Sequence, residues 1–250
     1  PPLLFLDNSA WNCYNLFIGR GRKQRGKDEK MNAKNIKAII FDMDGTLLDS
    51  LSVWADSDRE FLNGLGLEYD YACSLAMKKM HFDSACEYLV REYSLPFSAE
   101  ETGKRILAIV EEHYINGVPL KCGAKEFLAA AHSAGIKMCV ATSNKKSLAE
   151  AALEAKGIMK YFEFLVTSDE VGCGKENPEI FLKAAERLGA VPSETVVFED
   201  SIHAVMSAKE AGFTVVGLYE KLCEGEFEEI KKFADITAMS FAEILKEYAE

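Results

Sequence analysis

Along the chain, short apolar runs alternate with longer stretches in which apolar positions recur every three or four residues. The runs are "IKAIIF" (36–41), "IKMCVA" (136–141), "FEFLVT" (162–167), "TVVFE" (195–199) and "FTVVGL" (213–218). Rich in β-branched and aromatic residues, they read as strands buried on both faces, the signature of a parallel sheet. Residues 124–134, 147–156, 179–188 and 202–211 carry the helical period. Gly135, Gly189 and Gly212 follow three of these helices, where left-handed C-terminal caps are expected. The alternation predicts an α/β fold, a doubly wound parallel sheet with helices on both faces.

Between residues 54 and 117 the alternation stops. "FDSACEYLVREY" places Phe82, Ala85, Cys86, Leu89, Val90 and Tyr93 on one helical face. "SAEE" at Ser98–Glu101 reads as a capping box opening a second helix, with Ile106, Ile109, Val110 and Tyr114 as its stripe. The expected organisation is a core of residues 31–53 and 118–250 with a helical insert at 54–117. The chain returns to the core through "GVPLKCG", where Gly117, Pro119 and Gly123 are hinge and turn candidates. Residues 1–30 differ from the rest, with an apolar "LLFL" and a basic string "RGRKQRGKDEK" ahead of Met31. They are read as a non-native or disordered extension. The alternative is a targeting or nucleic-acid-binding arm built on Arg20, Arg22, Lys23, Arg25, Lys27 and Lys30.

Charge narrows the partners. With 29 Lys and Arg against 40 Asp and Glu, the net charge of −11 repels phosphate backbones and anionic membranes, so neither nucleic acid nor membrane is an expected partner. No apolar run approaches the roughly 20 residues that span a bilayer, and a cytoplasmic monomer is expected. The seven cysteines are scattered without zinc-ligand spacing and are read as reduced thiols.

In an open parallel sheet, ligands bind beyond the carboxyl ends of the strands. Those positions hold Asp42 and Asp44 after the first strand, Thr142, Ser143 and Asn144 after the second, Lys175 after the third, and Glu199 and Asp200 at the fourth. Together they supply the parts of a metal-assisted phosphoryl transfer. A carboxylate can attack an anionic phosphate only when a cation offsets the repulsion, and Mg²⁺ favours carboxylate and carbonyl oxygens. Asp42 is then the nucleophile and Asp44 the acid and base for the leaving alcohol and the water. Thr142, with backbone N–H groups nearby, holds the nonbridging oxygens, as does Ser143, and Lys175 adds a fixed charge.

"FDMDGTLLDS" resembles the first motif (DxDxT) of the haloacid dehalogenase superfamily, "VATSN" the second, Lys175 with Pro178 the third, and "VVFEDSIHAVMSAKEAG" the fourth. The helical insert is similar to the cap of the phosphoglycolate phosphatase and β-phosphoglucomutase branch. The resemblance implies a Rossmann-like core, a mobile cap, and Mg²⁺ held by Asp42, the Asp44 backbone carbonyl and Asp200, with Glu199 assisting. It implies a small phosphorylated metabolite as substrate. In the cap, Lys78, Lys79 and His81 form a cationic cluster that is a candidate for substrate contact. The mutases carry an arginine and a histidine where this chain has Phe82, or a neighbour, and Trp54. Hydrolysis is therefore ranked above a mutase.

Each signal has a plainer reading. Aspartates after a strand cap helices and turns, Thr142 is an ordinary strand-end hydroxyl, Lys175 a solvated loop lysine, and Asp200 a helix N-cap. His203 is read as surface or supporting rather than catalytic. A calcium loop is excluded, because Leu47 stands where it needs glycine and Val53 where it needs glutamate. Dehalogenation has no use for Asp44 or Asp200, and a phosphonate hydrolase would need a cap lysine, for which Lys78 or Lys79 would have to serve. A noncatalytic binding protein would not need every one of these positions filled. Deleting residues 1–30 is expected to leave the thermal midpoint and turnover nearly unchanged. A large loss of either would show that the segment docks on the core.

Overall fold

The computed structural model describes residues 36–77, 80 and 82–247. In chain order they form β1 (Ala38–Phe41), helices α1 (Val53–Gly64), α2 (Tyr71–Met77), α3 (Phe82–Glu92) and α4 (Ala99–Glu112), then α5 (Ala124–Ser133), β2 (Lys137–Thr142), α6 (Lys146–Ala155) and β3 (Phe164–Thr167). A single turn at Ser168–Val171 follows, then α7 (Glu179–Leu188), β4 (Thr195–Glu199), α8 (Ile202–Glu210), β5 (Thr214–Leu218), α9 (Glu224–Phe233), β6 (Ile236–Ala238) and α10 (Phe241–Glu247). The chain divides into two compact units. One runs to Asp49 and resumes at Pro119; the other is Ser50–Val118.

In the first unit the six strands lie in the order β3-β2-β1-β4-β5-β6, all parallel. The order reverses at β1, which pairs with β2 on one side and β4 on the other. Such a reversal opens a crevice at the carboxyl ends of the central strands. Side chains alternate across the sheet. Ala38 and Ile40 join Cys139, Ala141, Val166, Val197 and Val215 in a core closed by α7, α8 and α9. The opposite face is aromatic: Phe41 stacks on Phe198 at 5.0 Å and meets Phe127, Phe162 and Phe241. Gly135, Gly189 and Gly212 all adopt positive φ, as their places after helices require.

Among its described residues, the regular structure of the second unit is all helical. The Ser98 hydroxyl accepts from Glu101 N–H and caps α4, while Glu101 turns its carboxylate outward to Arg105. Cys86 and Leu89 of α3 and Ile106, Val110 and Tyr114 are buried. Gly103 lets the two helices approach, since a Cβ there would stand 3.2 Å from the Phe82 ring and 3.3 Å from Cys86 Sγ.

Four strands begin one or two residues later than their apolar runs, an ordinary terminal difference. Helices α1, α2, α9 and α10 and strand β6 escape the apolar pattern. On α1 the buried positions Val53, Ser57 and Phe61 are one turn apart, so a hydroxyl interrupts the stripe. Strand β6 is three residues long and at the edge, with Ile236 and Thr237 only half buried. Among the described residues, the cysteines at 73, 86, 122, 139, 173 and 223 are free, and no helix is long and apolar enough to cross a membrane.

Gly217 marks a close approach of β5 to α9. A Cβ there would lie 2.3 Å from Ile230 Cγ2 and 3.3 Å from Ala234 Cβ. Ile230 Cγ2 is one bond from its own Cβ and has little room to yield. Gly217→Ala is expected to destabilise the protein by about 1–3 kcal/mol, the usual cost of overpacking. Urea unfolding measures it, and an unchanged midpoint would contradict this account of the packing.

Candidate active site

The sheet order determines which residues meet. Asp42 follows β1 directly, and its N–H donates to the Phe198 carbonyl of β4, so β1 and β4 stay in register up to the carboxylates. Glu199 ends β4 and Asp200 follows it. Asp42, Glu199 and Asp200 are all buried, and each offers an oxygen within 4.8 Å of the others. Lys175, from the loop after β3, hydrogen-bonds Asp42 Oδ1 and reaches Glu199 Oε1 at 2.8 Å.

The carboxylates differ in how they are held. Glu199 Oε2 accepts from the N–H groups of Asp200 and Ser201, at 2.8 and 2.9 Å, while its other oxygen takes Lys175. Asp200 Oδ1 accepts from the Thr46 hydroxyl at 3.0 Å. Gly45 is required beside it: its φ is +84°, and a Cβ there would fall 2.2 Å from Asp200 Oδ2. Asp44 Oδ2 accepts from Asn144 Nδ2 at 3.0 Å, and the Asn144 N–H donates to Thr142 Oγ1, also at 3.0 Å. The Lys175 backbone is held as well, its carbonyl accepting from Ser207 of α8 at 2.5 Å.

Burial dominates the electrostatics. It pushes the Asp42 carboxyl up to about 7 from an ordinary 3.8, against the pull of Lys175, with Glu199 and Asp44 adding to the rise. Asp200 is raised well above its usual range, first by burial and then by Glu199 and Asp42. For Lys175 burial works against the charge, but Asp42 and Glu199 outweigh it and hold the ammonium well above its ordinary value. Three buried carboxylates therefore share one firmly charged lysine. All-oxygen donors with surplus negative charge suit a hard divalent cation such as Mg²⁺.

Of the residues singled out from the sequence, these contacts link Asp42, Lys175, Glu199 and Asp200 in one network and Asp44 and Thr142, through Asn144, in another. The Ser143 side chain is exposed and pairs at 3.2 Å with Ser168 Oγ, at the end of β3. His203 is exposed on α8. Lys78, Lys79 and His81 lie outside the described residues. Thr46, Asn144 and Ser207 had no assigned role. Thr46 is the threonine of the DxDxT pattern and Asn144 stands at a strand end, so both carried a positional signal. Ser207 carried none, since it occupies an apolar face of α8 where only the folded loop shows its partner.

Comparison with known proteins identifies the class. Residues 36–212 match the haloacid dehalogenase-like hydrolase family, and the chain belongs to it. A phosphorylated carbohydrates phosphatase of Thermotoga maritima is 31% identical over 192 residues, 76% of this chain and 89% of that protein. A fructose-1-phosphate phosphatase of Escherichia coli is 29% identical over 71% of this chain and 94% of its own length. A Thermotoga maritima crystal structure provisionally titled a beta-phosphoglucomutase superposes with a TM-score of 0.76 at 30% identity, covering 85% of this chain and 98% of that one. The chain is an enzyme of the phosphatase class.

The raised Asp42 carboxyl gives metal-free stability a pH dependence. Titrating near 7 when folded and near 3.8 when unfolded, Asp42 binds more proton in the native state between those values. Its contribution to stability is therefore fully present below about pH 4 and falls as the pH rises toward about 7. In chelator-treated protein, Asp42→Asn is expected to flatten the fall in thermal midpoint across this window. Mg²⁺ should raise the midpoint more at pH 8, where the carboxylates are ionised, than at pH 5. A slope indifferent to Asp42→Asn, or a Mg²⁺ shift indifferent to pH, would contradict the assignment.

Proposed function

We propose that the protein is a Mg²⁺-dependent phosphatase of small phosphorylated metabolites, sugar phosphates foremost, acting through a phosphorylated Asp42. The observation that carries this reading is the buried Asp42 carboxylate, bonded to Lys175 and clustered with Glu199 and Asp200, with Asp44 two residues on. The named activities of the relatives on phosphorylated carbohydrates and fructose 1-phosphate support the substrate class.

An oxygen of Asp42 bonds to phosphorus as the ester P–O bond breaks, and Asp44 gives its proton to the departing alcohol. Water then attacks the phosphorus and yields a proton to Asp44. The bond between phosphorus and Asp42 breaks, and phosphate is released. Lys175 stabilises negative charge next to Asp42. Thr142 Oγ1 accepts from Asn144 N–H and so directs its own proton elsewhere, as a donor to a nonbridging oxygen requires. Asp42, Asp200 and the Asp44 carbonyl would hold Mg²⁺, with Glu199 supporting them; the bound ion supplies charge neutralisation that lets one anion approach another. Glu199 has both oxygens engaged, which suits a bridge between Lys175 and the Asp200 backbone.

The likeness to a structure titled a beta-phosphoglucomutase keeps a mutase as the second reading. Trp54, and Phe82 or a neighbour, stand where mutases carry a histidine and an arginine, and the Trp54 and Phe82 rings meet edge to face at 5.7 Å. Without those cations a bisphosphate is poorly retained, which favours water as the acceptor. Asp42→Ala is expected to abolish turnover while leaving the fold intact; near-normal activity would remove the nucleophile assignment. Wild-type protein given β-glucose 1-phosphate, Mg²⁺ and a trace of glucose 1,6-bisphosphate should release phosphate and form little glucose 6-phosphate. The opposite partition would establish the mutase.

A further inference from the structure

We infer that Asn144 is a positioning residue that holds the Asp44 carboxyl at the leaving-group oxygen; the inference rests on the phosphatase reading above. Its basis is the hydrogen bond from Asn144 Nδ2 to Asp44 Oδ2, 3.0 Å long and spanning 100 residues of sequence. An ionised carboxylate only accepts, so the amide nitrogen is the atom that must face it.

The sheet brings the two residues together. Phe41 pairs with Val140 in the β1–β2 ladder, so Asp44 and Asn144 leave neighbouring strand ends three and four residues later. Asn144 is then fixed by its own turn, its N–H donating to Thr142 Oγ1 at 3.0 Å. Thr142 is fully buried in the strand end. The amide is thus mounted on a rigid element, and it transmits that rigidity to a carboxylate carried on the loop after β1. Gly45, next to Asp44, has positive φ, and its N–H donates to the Leu48 carbonyl, which sets the loop backbone. Asn144 sets the side chain.

A residue that orients only the acid has a distinct kinetic signature. Its loss should slow the departure of a poor leaving group, which needs the proton, and spare a good one, which does not. A residue that grips phosphate would instead raise KM for every ester alike, and a residue that merely stabilises the fold would lower all rates together.

The experiment compares wild type, Asn144→Ala and the near-isosteric Asn144→Leu, which lacks the donor and adds no charge. With β-glucose 1-phosphate, an alkyl ester, kcat is expected to fall about 10–100-fold, part of the 10²–10⁴ that a general acid supplies. With p-nitrophenyl phosphate the fall should be under about 3-fold, and KM should change little for either. Asn144→Ala added to Asp44→Asn should cost nearly nothing further, because the group it positions is already disabled. Crystal structures of both Asn144 variants should show the Asp44 carboxyl displaced from its wild-type rotamer. Equal slowing of the two esters, a change confined to KM, full additivity with Asp44→Asn, or an undisplaced Asp44 would overturn the inference. A wild-type protein inert toward both esters would defeat the phosphatase reading, and the Asp44 rotamer would still decide the role of Asn144.

Discussion

The site depends on one buried cation. Lys175 lies among three carboxylates in a place where water screens little, and bonds two of them directly. Removing one partner of such an arrangement typically costs about 3–5 kcal/mol, because the charges left behind remain buried. The surroundings are built to keep the lysine in place. Its carbonyl is tied to Ser207 on α8, and α7 begins four residues later and packs its apolar face into the core under the sheet. Loop, helix and ammonium are therefore positioned as one piece.

The arrangement also depends on strand order. Residues 42, 142, 175 and 199 are far apart in sequence, and only the reversal at β1 puts their strand ends side by side. The two faces of the sheet contribute differently. Small residues such as Ala38, Ala141 and Ala204 let α7 and α8 pack closely on one side, while stacked phenylalanines support the back of β1 and β4 on the other. A strand held from both faces can end in two carboxylates without its register slipping, because a shift of one residue would exchange the small face for the aromatic one.

This explains what was legible in the sequence. The five core strands announce themselves because they are buried on both faces, and the carboxylates stand out because they interrupt apolar runs at positions where a parallel sheet opens. Helix α1 was hidden by Ser57 in its buried face, and β6 by its brevity at the edge. Second partners are harder to read than first ones. Thr46 on Asp200, Asn144 on Asp44 and Ser207 on Lys175 are contacts across 154, 100 and 32 residues. Nothing local in the chain encodes those distances; they are consequences of the ladder.

The chemical types of those partners follow a pattern. The charged donor, Lys175, goes to Asp42 and Glu199, whereas neutral donors, Thr46 and Asn144, go to Asp200 and Asp44. A neutral donor fixes a carboxylate's orientation without cancelling its charge. A second lysine in place of Thr46 would hold Asp200 equally well but would also neutralise the cluster and weaken its attraction for a divalent cation. A lysine in place of Asn144 would bind Asp44 most strongly as the carboxylate and oppose the protonation that the proposed acid role requires. The one charged donor thus works against the burial that raises Asp42, while hydroxyl and amide groups orient Asp200 and Asp44 without adding charge.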